Sequence, residues 1–214
     1  MKENILITPP TSGGDLQFLG EVNLINYSTF STQVGVTVGT LTTHRNINKW
    51  LHYLVGDTEL YVSMVNIRHT ISPNQLKSAN VVYGSKTTTI GGKTYKVRLL
   101  KGIRPDPEGI TWDTGYDAEI THGSEWNRLI YPLLPAESAS YPQDSQVGED
   151  FANYDQIDLD GNGATTSRSW CQENWNNGTN FVLRGLHSLS YVYGFGPAVA
   201  LPSYGWRPVL ELVA

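Results

Sequence analysis

Short apolar runs that stop at turn residues recur along the chain and predict β-strands. The Gly91-Gly92 pair joins the clearest hairpin, because two glycines tolerate the positive φ angles of a tight turn. The Gly56-Asp57 pair interrupts an apolar pattern in the same way and predicts a second hairpin. The predicted strands cover residues 4–7, 34–38, 50–55, 59–65, 81–83, 87–90, 94–100, 181–184, 188–193 and 206–212.

Two short helices are predicted where a serine precedes a run with helical spacing. Ser72 is a good N-cap, and the proline after it suits the first turn of a helix over residues 74–80. Ser124 caps a second helix over residues 125–131, which the next proline ends. One face of this second helix is apolar and carries Trp126, Leu129 and Ile130.

The composition favours strands and turns over long helices. Only 16% of the residues are charged, below the roughly 25% that is typical of soluble domains. Gly, Ser, Thr, Asn and Tyr take their place, and these residues suit pleated strands and turns. We therefore predict an α+β fold with short helices and a twisted, mostly antiparallel sheet.

The N-terminal part of the chain differs from the rest. Residues 1–45 hold two prolines and no tryptophan, and they cannot build much core alone. We predict that residues 1–45 form a β-rich attachment or oligomerisation segment and that residues 46–214 form the main domain. The alternative is that residues 1–45 are an ordinary first hairpin of that domain.

Charge and cysteine content exclude several classes of protein. The net charge is −5 and no run of Lys or Arg occurs, which argues against a nucleic-acid partner. The single cysteine, Cys171, excludes an internal disulfide and a cysteine-based zinc site. We find no apolar stretch near the roughly 20 residues of a membrane span, and the N-terminus lacks the apolar region of a signal peptide, so we expect neither membrane insertion nor secretion.

Six stretches of the chain together carry a resemblance to a known family. They are WLHYLVGDTELYV (50–62), VVYGSKTTTIGGKTYKVRLLKG (81–102), HGSEWNRLIYPL (122–133), SWCQENW (169–175), VLRGLHSLSYVY (182–193) and YGWRPVLELV (204–213). In this order, they resemble modules in tail-fibre and other virion-surface proteins of large tailed bacteriophages. The resemblance covers about residues 45–214.

The ending VLRG…GWRPVLEL also resembles the C-type-lectin-like fold of formylglycine-generating enzymes and of the variable proteins of retroelements. The resemblance implies that the Arg-Gly strand lies beside the terminal strand and that residues 186–203 form a displayed loop. Tyrosines among small residues are typical of binding loops. The alternative is that these aromatic residues are ordinary strand residues of the core. The candidate ligand-binding residues are His187, Tyr191, Tyr193, Phe195 and Tyr204.

The resemblance implies a non-enzymatic structural protein of the virion, made in the host cytoplasm: a head fibre, a decoration protein or a tail-fibre tip. Residues 1–45 would bind other capsid or tail proteins, and the lectin-like domain would bind host surface glycans or another receptor. We expect a homo-oligomer, with a trimer favoured, because weak sites gain from avidity. The alternatives are a purely architectural virion protein and a glycan-degrading virion enzyme. The copper chemistry of formylglycine-generating enzymes needs cysteine thiolates, and only Cys171 is present, in an unrelated position.

An aspartate-rich segment matches the first half of a calcium-binding loop. Asp158, Asp160 and Asn162 occupy positions 1, 3 and 5, and a glycine follows at position 6. Position 12 is Ser169, so the bidentate carboxylate would have to come from elsewhere, with Glu173 and Asp155 as candidates. The sequence leaves two interpretations open: a calcium site, or a turn held by Asx hydrogen bonds.

Enzymatic chemistry finds little support in the remaining polar residues. No two of the five histidines have the i, i+4 spacing of a zinc hydrolase. Asp113 and Glu119 are acidic residues of a loop, but no spacing links them as a glycosidase pair. Arg184 and Arg207 lie on predicted central strands, so we predict that at least one is mostly buried and bonded to a carboxylate or a backbone oxygen. The candidate carboxylates are Glu173 and Glu211.

Overall fold

The computed structural model describes residues 16–103, 123–134, 154–159, 167–175, 179–185, 189 and 191–213. These residues form an α+β fold with two mostly antiparallel sheets of six strands each and short helices. The predicted fold class is therefore confirmed at that level. Within the described residues, no helix combines the length and apolarity needed to cross a bilayer.

The first sheet is antiparallel throughout. Its strands, in spatial order, are β1 (Leu16–Val22), β3 (Trp50–Val55), β4 (Thr58–Ser63), β12 (Pro208–Leu212), β7 (Lys93–Leu99) and β6 (Tyr83–Ile90). Both hairpins that the turn residues predicted, β3–β4 and β6–β7, are present. The last strand of the chain thus lies in the middle of this sheet.

The second sheet contains one parallel pair, formed by β11 and β8. Its strands, in spatial order, are β10 (Val192–Phe195), β9 (Asn180–Gly185), β8 (Arg168–Trp175), β11 (Tyr204–Trp206), β5 (Arg68–His69) and β2 (Thr40–Leu41). The two sheets adjoin where β7 ends, because the backbone N–H of Gln172 donates to the carbonyl of Leu100 at 3.0 Å. The side-chain amide of Gln172 adds a bond of 2.7 Å to the carbonyl of Leu99.

The described helices are short, and side-chain caps begin three of them. They are α1 (Tyr27–Gln33), α2 (Pro73–Ser78), α3 (Glu125–Leu129), a 3-10 helix (Tyr131–Leu133) and α4 (Gln156–Leu159). Ser72 and Gln75 form a reciprocal capping box on α2, and Ser124 caps α3, as predicted. Asn26 caps α1, a helix that the apolar pattern did not indicate.

The core consists of two apolar clusters, and both sheets supply residues to each of them. Successive strand residues point to opposite faces, so Val62 and Val209 join one cluster while Tyr61 and Leu210 join the other. The first cluster surrounds the fully buried Trp126. The second is built around Trp50, Trp170 and Trp206. Burying four tryptophans supplies a core without a disulfide.

Several element predictions were wrong or incomplete. Residues 34–38 follow α1 as a turn and an extended connection, and they form no strand. Strand β8 was not predicted, because its residues show no clear alternation of apolar and polar positions. The predicted strand 206–212 is two strands in two different sheets, and Arg207 separates them. Predicted strand 4–7 lies outside the described residues.

The predicted boundary after residue 45 runs through a packed unit. Strand β1 pairs with β3 over its full length, apart from one register shift. Phe30 on α1 contacts Trp50 edge-on at 5.2 Å and stacks on Trp206 at 5.7 Å. Residues 16–45 thus belong to the same core as the rest of the described chain, and their attachment role stays a prediction.

Candidate functional site

Three of the predicted binding residues lie on one face of β10 and its approach. Tyr191, Tyr193 and Phe195 alternate along the chain, so their rings project to the same side of the sheet. Val192 points to the other side and is buried in the first apolar cluster. Strand β10 is an edge strand of the second sheet, paired only with β9 among the described strands.

The aromatic rings form a continuous row, which we call the aromatic row. It consists of Tyr191, Tyr193, Phe195 and Tyr204. The centroid distances between successive rings are 6.1, 5.1 and 5.2 Å. Tyr204 in turn meets Trp170 edge-on at 5.3 Å, which fixes the row to the core.

The four rings of the aromatic row differ in their exposure to solvent. Tyr204 is 1% exposed, so its ring supports the row from within. Tyr191, Tyr193 and Phe195 are half-buried and keep part of their rings accessible. A ligand could therefore contact the three half-buried rings directly, whereas the buried Tyr204 could affect binding only by supporting them. His187, the fifth predicted binding residue, lies outside the described residues.

An arginine that the sequence analysis missed completes this site. The guanidinium carbon of Arg168, on β8, lies 5.3 Å from the ring centroid of Tyr193, 5.9 Å from that of Phe195 and 5.1 Å from that of Tyr204. Its Nη1 donates a hydrogen bond of 2.7 Å to the hydroxyl of Tyr204. The signal was the Arg-Ser-Trp order, which places Arg168 on the same sheet face as Trp170.

The prediction that the Arg-Gly strand lies directly beside the terminal strand was wrong. Strand β8 lies between β9, which ends in Arg184-Gly185, and β11, which begins the terminal Tyr-Gly-Trp-Arg stretch. Gly185 has a φ of 93°, and a Cβ there would lie 2.8 Å from the carbonyl oxygen of Ser167. The absence of a side chain at Gly185 thus lets β8 approach β9 closely. Arg168 is the residue of β8 that pairs with Gly185 in the register.

The predicted calcium loop is only partly described. Asp158 lies on α4 and forms an ion pair of 2.7 Å with Arg45. Its carboxylate also accepts a bond of 2.9 Å from the amide of Asn46. Burial alone would raise the pKa of Asp158, but the hydrogen bonds from Asn46, the N–H of Asp155 and Arg45 hold it below its ordinary value.

A cation at Asp158 would have to compete with Arg45 for the same carboxylate. Asp160 and Asn162 lie outside the described residues. In the part of the chain that the structure describes, no cluster of three or more His, Cys, Asp or Glu side chains is arranged to hold a metal. Calcium binding stays a prediction.

The two arginines that were expected to be buried are fully enclosed, which confirms that prediction. Arg184 is 0% and Arg207 1% exposed, and both guanidinium groups lie against the ring of Trp126, at 5.6 and 5.1 Å. Arg184 donates to the carbonyl of Gly102 at 2.5 Å and to Asn127 Oδ1 at 2.6 Å. Arg207 donates to the carbonyl of Leu159.

The carboxylates proposed for these arginines have other hydrogen-bonding partners. Glu211 accepts a hydrogen bond of 2.9 Å from Nε of Arg98, which also forms a two-pronged, half-buried pair with Glu125. Glu173 accepts the backbone N–H of Gly102 at 3.0 Å. Burial raises the pKa of Glu173 to about 7, although these backbone N–H bonds oppose the shift.

Glu173 should make the stability depend on pH. Its folded pKa exceeds the ordinary value, so the folded state binds more protons between pH 4.5 and 7 and stability falls as pH rises through this window. Glu173→Gln keeps an acceptor for Gly102 and removes the charge. We expect the variant to gain about 2 kcal/mol relative to the wild type between pH 5 and 7.5, measured by urea unfolding.

The difference between the two proteins isolates Glu173 from other titrating groups. Burial lowers the pKa of His44, His52 and His69, and these histidines make stability rise with pH in the wild type and in the variant alike. If the difference in unfolding free energy stayed constant across the pH range, the assignment to Glu173 would be wrong.

No protein-family model matches this chain, and no curated protein or solved structure shows significant similarity to it.

Proposed function

We propose that this chain is a non-enzymatic structural protein of a tailed bacteriophage virion that binds host surface glycans through the aromatic row. The single observation that carries the binding proposal is the set of half-buried rings of Tyr191, Tyr193 and Phe195 beside Arg168. Their partial exposure at a sheet edge leaves contact surface that the core does not use.

The chemistry of the row suits a sugar. Aromatic rings present flat apolar faces, and tyrosine adds a hydroxyl that forms hydrogen bonds at the rim. A pyranose ring has an apolar C–H face and polar hydroxyl edges, so it can stack on a ring and bond at its periphery. Few rotatable bonds separate these rings from the backbone, which lowers the entropy cost of binding.

The virion assignment rests on the order of the stretches that resemble phage surface modules. We further propose that the domain belongs to the C-type-lectin-like type, in a variant where β8 separates the Arg-Gly strand from β11. Two mostly antiparallel sheets with short helices are compatible with that assignment. A trimer on the particle would turn weak single sites into firm attachment.

Removing one ring of the row tests the binding proposal. Tyr193→Ala breaks the row between Tyr191 and Phe195. We expect the variant to bind the glycans that the wild type captures on an array about two- to twelvefold more weakly, since a stacked ring contributes about 0.5–1.5 kcal/mol. Tyr83→Ala is the matched control, because Tyr83 is 53% exposed on the other sheet. Equal losses in both variants would contradict the proposal.

Two further measurements separate the alternatives. A wild type that binds no glycan but decorates purified phage particles would favour the purely architectural role. Release of reducing sugar from a bound glycan would favour the degrading enzyme. Imaging of the intact particle with a labelled chain would test the virion location and show whether the aromatic row faces outward.

A further inference from the structure

We infer that the aromatic row recognises acidic sugars, with Arg168 as the residue that binds their carboxylate. This inference rests on the proposed function and narrows its ligand to glycans that carry uronic or sialic acid residues. It begins from the surroundings of Arg168, whose guanidinium lies among rings of the aromatic row.

Arg168 forms no ion pair with a carboxylate among the described residues. A guanidinium has five N–H donors, and its one side-chain hydrogen bond in the described part of the chain goes to the hydroxyl of Tyr204. Its Nε is buried there without a hydrogen-bond partner. By contrast, Arg45 and Arg98 each contact two carboxylates. Within the described part of the chain, Arg168 is therefore a half-buried cation that no carboxylate neutralises.

The rings around Arg168 compensate only part of this charge. Three of them lie within cation–π distance of the guanidinium, and each such contact contributes about 0.5–1 kcal/mol at an exposed site. They also fix the orientation of the side chain, which lowers the cost of ordering it on binding. A carboxylate would satisfy the remaining donors, because the planar guanidinium fork matches a carboxylate in two-pronged geometry.

The ligand that fits both parts of the site is a sugar with a carboxylate. Tyr193 and Phe195 contact the guanidinium on one side and continue the exposed row on the other. A uronic or sialic acid could stack on a ring and direct its carboxylate to Arg168. The net charge of −5 makes general attraction of polyanions weak, so the charge must be recognised locally.

Matched pairs of glycans that differ only in the free carboxylate test this inference. The probes are oligogalacturonate against its methyl ester, and sialyllactose against lactose, by titration calorimetry at low salt. We expect the wild type to bind the acidic member of at least one pair about tenfold or more tightly, as a charged hydrogen bond contributes about 1.5–3 kcal/mol. The pair that shows the preference distinguishes uronic from sialic acid.

Variants of Arg168 assign the preference. Arg168→Gln should abolish the preference for the acidic member of the pair, and Arg168→Lys should retain part of it. Arg45→Gln is the control, since Arg45 is an exposed arginine that pairs with Asp155 and Asp158. Thermal unfolding of every variant shows whether the fold persists, and Arg168→Lys keeps the test informative if the glutamine variant unfolds.

The outcomes separate this inference from the proposed function. Equal binding of acidic and neutral members by the wild type, or a preference that survives in Arg168→Gln, would overturn the role of Arg168 and leave glycan binding intact. Absence of binding to every glycan on the array would overturn the proposed function, and the inference with it.

Discussion

Replacing Arg184 by Leu is expected to lower the free energy of unfolding by about 3–5 kcal/mol, enough to unfold much of the protein. The side chain is fully buried and bonds the carbonyl of Gly102 and the amide oxygen of Asn127. Leucine would leave both acceptors buried without this donor, and each such loss costs about 1–3 kcal/mol.

The charge of Arg184 persists at neutral pH. Burial lowers its pKa to about 10, which still leaves the guanidinium protonated. The ring of Trp126 and the polar acceptors offset the cost of burying the charge. Urea unfolding monitored by tryptophan fluorescence measures the loss of stability.

Arg45→Leu provides the comparison for Arg184→Leu. The side chain of Arg45 is 56% exposed, and exposed ion pairs contribute about 0–1 kcal/mol. Equal unfolding free energies of Arg184→Leu and Arg45→Leu would contradict this prediction. They would mean that the desolvation cost of the buried guanidinium equals the gain from its hydrogen bonds, so that Arg184 adds no net stability.

Gly205→Ala is expected to cost about 2–4 kcal/mol, because the added methyl group has no space. A Cβ at Gly205 would lie 2.3 Å from Nδ2 and 2.7 Å from Cβ of Asn66. Asn66 is buried, and two hydrogen bonds fix its side chain. Its Nδ2 donates to the carbonyl of Arg168 at 3.0 Å, and its Oδ1 accepts from the hydroxyl of Ser169 at 2.8 Å. Displacing it would break both of these hydrogen bonds to β8.

The control for this substitution is Gly196→Ala. A Cβ at Gly196 would meet only Cγ2 of Val199, at 3.8 Å, an ordinary van der Waals contact. We expect its unfolding midpoint to change little. The two variants are compared by thermal or urea unfolding. If their unfolding midpoints agreed within error, the strands around Gly205 would make room for the methyl group without a loss of stability, which contradicts the prediction.

Local elements were predictable where a few adjacent residues determine the backbone. The Ser72 cap and the Gly91-Gly92 turn were correct because caps and tight turns depend on neighbouring residues alone. The order of strands in space depends on contacts between distant segments, so the insertion of β8 between β9 and β11 could not be inferred. Strand β8 also buries consecutive residues on both of its faces, Ser169, Trp170 and Cys171, which removes the alternation that marks a half-exposed strand.

The site was predictable in part for the same reason. Tyr193 and Phe195 lie on one strand and Tyr191 directly precedes it, so their spacing alone places them on one face. Arg168 comes from another strand and meets them only through the pairing of β8, β9 and β10. The burial of Arg184 and Arg207 was expected, but they donate to backbone carbonyl oxygens and to the amide oxygen of Asn127. These acceptors come from segments far away in the chain, so the sequence alone could not show that they, and not carboxylates, would be the partners.

The arrangement of β11 and β12 has a consequence for synthesis on the ribosome. These two strands occupy interior places in separate sheets, joined through Arg207. A nascent chain that still lacks residues 204–212 leaves a gap in each sheet, so neither core can close. Prematurely terminated products should therefore stay protease-sensitive and be degraded, and only chains translated through residue 212 should complete the fold.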